Sequence, residues 1–71
     1  MNSNLLRAVI AKNGDTQGKL AEAMGMPVSA LSMRINGKID FRRNEIRFIK
    51  QRYNLSSEEI DSIFFTELVS A

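Results

Sequence analysis

The chain of 71 residues contains no cysteine and no histidine. Without thiols there is neither a disulfide framework nor a cysteine-ligated zinc site. Without imidazole, the usual general base, the commonest metal ligand and the ordinary neutral-pH switch are all missing. Tryptophan is absent too, and Pro27 is the single proline. No apolar run approaches the roughly 20 residues that span a bilayer, and the first residues lack a signal-peptide core. No nucleophile motif surrounds the serines or aspartates. These absences predict a small cytoplasmic domain. It is expected to be no enzyme, to hold no metal or cofactor, to take no small-molecule substrate and to enter no membrane.

What is present is ordinary for a folded protein: 44% hydrophobic and 25% charged residues. A chain of this size suits one domain over residues 1–71, burying only about 60% of the surface its unfolded form exposes. The net charge of +2 conceals a polarity. Residues 1–37 hold four basic groups against two acidic ones. Residues 38–52 hold six (Lys38, Arg42, Arg43, Arg47, Lys50, Arg52) against Asp40 and Glu45. Residues 53–71 hold four acidic groups and no basic one. The basic middle suits a polyanion, with the acidic end turned away from it. A merely solvated charged face would carry the same charges.

The apolar rhythm predicts an all-α chain of five helices, with no strand alternation and no repeat. The first is expected from about Asn4 to Asn13, capped by Ser3 or Asn2 and closed by Gly14, with Leu5, Leu6, Val9 and Ile10 on its apolar stripe. The second starts with Thr16 as N-cap and ends at about Met24, with Leu20, Ala21 and Met24 inward. Gly25 and Pro27 then make a sharp break, because glycine accepts a left-handed backbone and proline starts a helix well. The third spans about Val28 to Ile35, with Leu31 and Ile35 inward, and Asn36-Gly37 closes it. The fourth begins between Arg42 and Glu45 and ends near Tyr53-Asn54, presenting Ile46, Ile49 and Tyr53 to the core. The fifth has the clearest start. Ser56 and Glu59 form a capping box, Leu55 and Ile60 stand at the staple positions, and Ile60, Ile63, Phe64 and Leu68 make its apolar side.

Two short helices joined by a glycine-containing turn form the helix-turn-helix pattern, here over about residues 16–36. Small Ala21, four residues before Gly25, lets the helices approach closely. The stretch "TQGKLAEAMGMPVSALSMRINGK" resembles the core of the lambda-repressor and Cro proteins, the xenobiotic-response-element-type helix-turn-helix family. Thr16, Gln17, Leu20, Ala21, Gly25, Leu31, Ser32, Asn36 and Gly37 carry the match. The resemblance reaches upstream to Gly14 and downstream to the Phe41–Ile46 segment, and "NLSSEEIDSIFF" is similar to small phage-encoded regulators.

The resemblance implies a compact five-helix DNA-binding domain that acts as a transcriptional regulator on operator double-stranded DNA. It implies that Gln17 touches a backbone phosphate, that Val28–Met33 lies in the major groove and that Lys38 lies near the backbone. Thr16, Arg34, Asn36, Arg42 and Arg43 are the other phosphate candidates; Arg42 replaces the Thr or Ser cap common in the family. The base-facing candidates are Val28, Ser29, Ser32 and Met33. They are poor hydrogen-bond readers, since Val and Met offer only contact with a thymine methyl and Ser discriminates weakly. Pro27 stands where the family usually has a capping serine, so one phosphate contact is lost. A second reading therefore stays open: an antirepressor or modulator that binds a phage repressor protein through Val28 and Met33. Adjacent Phe64 and Phe65 point about 100° apart. Either Phe65, Leu68 and Val69 form a homodimer or hetero-partner seam, or both rings fill a shallow core beside the first helix.

Overall fold

Four consecutive helices of this chain end in the same way. A residue with positive φ follows the last turn, and the next residue's N–H reaches back to a carbonyl five positions earlier. Asp15 donates to Ile10, Met26 to Ala21, Lys38 to Met33 and Leu55 to Lys50, all at 2.9–3.0 Å. The positive-φ residues are Gly14, Gly25, Gly37 and Asn54. At Gly25 (φ 73°) an added Cβ would meet no atom within 4 Å, so backbone conformation rather than crowding selects glycine there.

The computed structural model describes residues 1–65. Among them five helices and no strand occur: α1 Ser3–Lys12, α2 Gln17–Met24, α3 Val28–Ile35, α4 Arg43–Arg52 and α5 Ser57–Phe64. The starts follow the sequence closely. Thr16 Oγ1 accepts from Lys19 N–H at 3.1 Å. Ser56 Oγ accepts from Glu59 N–H at 3.1 Å, while the Glu59 carboxylate accepts from Ser56 N–H at 2.9 Å. Leu55 and Ile60, the two staple residues, are both buried. At α1 the choice between two caps falls on Asn2, whose Oδ1 accepts from Leu5 N–H. Ser3 is instead the first helical residue, and its hydroxyl donates to the Ile35 carbonyl at the end of α3.

One core unites all five helices. Leu6, Leu20, Leu31, Ile35, Ile49 and Ile63 have almost no exposed surface. Helices α2 and α3 pack on each other across the Gly25–Pro27 turn, and α1 packs on α5. Met26, just before Pro27, is half-buried against the core. Phe64 is buried, its ring edge-on to Phe41 with centroids 5.3 Å apart, while Phe65 is 43% exposed. Of the two alternatives for the adjacent rings, the one in which both fill the core is thereby excluded. Ile46, expected in the core, is only half-buried, whereas its neighbour Glu45 is buried among polar partners. Leu68 and Val69 lie outside the described residues. No helix among the described residues is long and apolar enough to cross a membrane.

The join between α1 and α2 is pinned from a distance. Asp15 precedes the α2 cap, and its Oδ2 accepts from Arg52 Nε at 2.8 Å and from the Tyr53 hydroxyl at 2.6 Å. Its Oδ1 accepts from Thr16 N–H. Arg52, then Tyr53, hold the Asp15 carboxyl well below the usual carboxylate range. Burial, then the bond to Asp15, pushes the Tyr53 phenol up to about 12. Because the phenol holds its proton more tightly when folded, its contribution to stability is complete below the unfolded value of about 10 and is lost as pH rises from there. Asp15 has the opposite sign: its contribution is present above about pH 4 and is lost as pH falls below that. Tyr53 is the only tyrosine and there is no tryptophan, so tyrosinate absorbance reads this site alone. The titration midpoint is expected at about 12 in the folded protein. Asp15→Asn should bring it down and flatten the loss of stability in acid; an unchanged midpoint in the variant would show that Asp15 does not hold the phenol.

Candidate nucleic-acid interface

Helix α3 is eight residues long, about 12 Å at 1.5 Å per residue, and its two sides differ sharply. Leu31 and Ile35 have no exposed surface, while Val28 is 52% and Met33 42% exposed. Ser29 is exposed and lies one turn from Met33, so the two share the outer face. Ser32 and Ala30 are half-buried at its flanks. This division follows from the 100° step between successive residues, which sets Leu31 and Ile35 close together and Met33 nearly opposite.

The start of α3 is bare. Pro27 makes no side-chain capping bond, and its carbonyl takes the Ala30 and Leu31 amides. The first-turn amides before these point forward from the helix end, where the positive end of the macrodipole favours an anion. At the neighbouring start of α2, the Thr16 hydroxyl oxygen is engaged by Lys19 N–H, and Gln17 follows it half-buried.

The loop between α3 and α4 carries the exposed cations Lys38 and Arg42, and exposed Arg43 begins α4. Three devices hold the loop. Gly37 (φ 81°) turns it, letting Lys38 and Ile39 N–H both reach the Met33 carbonyl. Phe41 anchors it on Phe64. Glu45 ties its far end, with Oε1 accepting from Arg42 N–H at 2.9 Å and from Arg34 Nε at 3.0 Å. Burial opposes ionisation of Glu45, but the Arg42 amide and the Arg34 guanidinium outweigh it and lower its pKa. Arg42 itself offers no side-chain acceptor to α4, as expected from the missing Thr or Ser; the Glu45 half of a capping box remains.

Two phosphate candidates are turned elsewhere. Arg34 does not face outward: besides Glu45 it donates from Nη1 to the Ala30 carbonyl at 3.1 Å, and its side chain is 13% exposed. Its place in the sequence sets it on the α3–α4 side of the helix, where a buried carboxylate captures it. The Asn36 amide is also engaged, its Oδ1 accepting from Arg7 Nη2 and its Nδ2 donating to Ser32 Oγ. Arg7 thus arrives beside the end of α3 from 29 positions away, a cation that the sequence reading did not place there. Ile39 was also missed; it is 40% exposed. It shares with Phe65 a cleft of about 370 Å³ floored by Phe41, Ile46 and Phe64. No local pattern marks either residue, because both placements depend on how α1 and α5 cross the loop.

Charge is unevenly spread over the exposed surface. Arg43 and Arg47 are exposed one turn apart on α4, while the first turn of α5 carries Glu58 and Glu59. No cluster of acidic side chains among the described residues could hold a metal ion. Chemically, the α2–α3 side with its loop offers helix amides, hydroxyls, two apolar tips and three free-standing cations, a set suited to a polyanion with grooves.

Among known proteins, no curated sequence and no solved structure matches this chain. The family described as "Protein of unknown function (DUF739)" matches it over residues 2–67, and the chain belongs to that family.

Proposed function

We propose that the protein is a sequence-specific regulator of transcription that binds double-stranded operator DNA, with α2 and α3 as a helix-turn-helix and α3 in the major groove. The observation that carries this reading is the division of α3. One side is locked into the core by Leu31 and Ile35, the other presents Ser29 and Met33, Val28 stands exposed at the helix start, and the exposed cations Lys38, Arg42 and Arg43 follow in the chain. A helix so placed fits a groove about 12 Å wide. Gln17, Thr16, the α3 amides and the loop cations take phosphates, fixing register. Ser29 and Ser32 meet base edges, Val28 and Met33 meet thymine methyls, and the remaining discrimination comes from DNA shape. Arg34 supports this surface from within, and Asn36 is held at its edge by Arg7 and Ser32. The lambda-repressor-like resemblance points the same way, and a bacterial cytoplasm is the compartment this work requires. In this reading the protein is a regulator and no enzyme.

Titration of the DNA flanking its gene and of an unrelated duplex, each at several salt concentrations, tests the proposal. Preference for the flanking DNA by about a thousandfold or more is expected of a specific regulator. Equal affinity for both duplexes would refute sequence specificity, and no salt-dependent binding to either would refute DNA as the partner.

A second reading is favoured by the exposure of Val28 and Met33 on one helix: a modulator that docks this face on a repressor protein. Val28→Asp with Met33→Asp should abolish co-purification with the repressor encoded beside it; a retained complex would remove this face as the contact. For pairing of two copies on two half-sites, the described candidate is Phe65 at the mouth of the cleft it shares with Ile39.

A further inference from the structure

We propose that Glu45 is a positioning residue for phosphate contact: by bridging Arg34 of α3 and the Arg42 amide that caps the start of α4, its carboxylate sets the cationic loop in register with the outer face of α3. The inference rests on the DNA-binding reading and concerns a residue that itself touches no DNA. Three bonds define the bridge. Glu45 Oε1 accepts from Arg34 Nε at 3.0 Å and from Arg42 N–H at 2.9 Å, and Arg34 Nη1 donates to the Ala30 carbonyl within α3. Both partners of the ion pair are largely withdrawn from solvent, at 13% and 11% side-chain exposure. An ion pair so shielded is held in one geometry more firmly than an exposed one, because water competes less for either charge.

The position of the bridge gives it its role. The loop from Asn36 to Arg42 leaves α3 through the Gly37 turn, where the Lys38 and Ile39 amides bond to the Met33 carbonyl; apart from Glu45, this turn and the Phe41 ring fix its course. Glu45 ties the far end back to the same helix that the loop left. Lys38 and Arg42 are therefore held relative to Ser29 and Met33, not merely to each other. The same carboxylate keeps Arg34 turned inward, away from the outer face of α3. A groove-reading helix gains from such rigidity, since phosphate contacts set the register in which bases are read.

The test is a double-mutant cycle on binding to a short mixed-sequence DNA duplex, read by fluorescence anisotropy over a range of salt. Proteins compared are the wild type, Lys38→Ala, Glu45→Gln and the double variant. In the wild-type background, Lys38→Ala should reduce the slope of log affinity against log salt by about 0.9, one phosphate. In the Glu45→Gln background, the same change should alter the slope by less than half as much, because Lys38 is no longer held at its phosphate. A merely structural Glu45 would lower the melting temperature and leave the Lys38 effect undiminished, which would overturn the inference. If Glu45→Gln fails to fold, Glu45→Asp replaces it in the same cycle, keeping the charge and shortening the reach to Arg34. Wild-type protein that shows no salt-dependent binding to any duplex refutes the DNA reading, and the inference with it. Binding with additive effects refutes the inference alone.

Discussion

Leu31→Ala is expected to remove about 3 kcal/mol of stability and to lower the melting temperature by about 10–20 °C. Leu31 has no exposed surface and sits on the inner side of α3, in the same core as Leu20 and Ala21 of α2. Truncating it removes the transfer energy of the lost methyl groups and leaves a cavity that two short helices cannot close without moving apart. A domain of this size has a total stability on the order of 4–10 kcal/mol, so the loss is a large share of the whole. Val28→Ala on the same helix provides the contrast. Val28 is half-exposed, and its truncation should change stability by no more than about 0.5 kcal/mol. Thermal melts followed by circular dichroism check both. Equal effects at the two positions would mean that α3 is not seated as described.

On the proposed DNA-binding function, replacing Lys38, Arg42 and Arg43 together with alanine should reduce the salt slope of DNA binding by about 2.7, three phosphates at about 0.9 each, and weaken binding on the order of a hundredfold at physiological salt. All three side chains are exposed, and the Arg42 side chain makes no capping bond, so the folded structure loses little. Phosphate contacts carry no sequence information, so affinity should fall alike for operator and unrelated duplexes, leaving their ratio nearly unchanged. Isothermal titration at three or more salt concentrations separates this outcome from its rivals. An unchanged slope would place the phosphate-binding surface elsewhere, with Arg47 and Lys50 on α4 as the next cations to examine. A changed ratio would mean that one of the three reads a base.

The first effect draws on the inner side of α3 and the second on cations that follow it in the chain, and the sequence alone makes both positions readable. Helix starts and stops in this chain are local events. Thr16 meets Lys19, Ser56 meets Glu59, and each of four closing bonds spans five residues, so a short window of sequence contains both partners. The faces of α3 are equally local, because the 100° step fixes which side chains share a side once one side is apolar. That step accounts for exposed Met33 and for buried Leu31 and Ile35; Val28, in register with the buried pair, is exposed at the helix start.

What the tertiary structure alone decided is which polar groups meet. Arg34 reads as an outward donor on its helix, yet Glu45, eleven residues on, draws it inward. Asn36 turns to Arg7 of α1, and Asp15 holds Arg52 and Tyr53 across 37 and 38 positions. The choice between Phe64 and Phe65 depends on Phe41, which comes from the α3–α4 loop. Hydrogen bonds and hydrophobic periodicity within a helix are set by backbone geometry, which is the same in every helix. Contacts between helices are set by crossing angles and loop paths, which follow from the packing of the whole core. The sequence therefore determined five helices, their ends and the outer face of α3, while the folded core decided that Arg34 turns inward to Glu45 and that Asn36 meets Arg7.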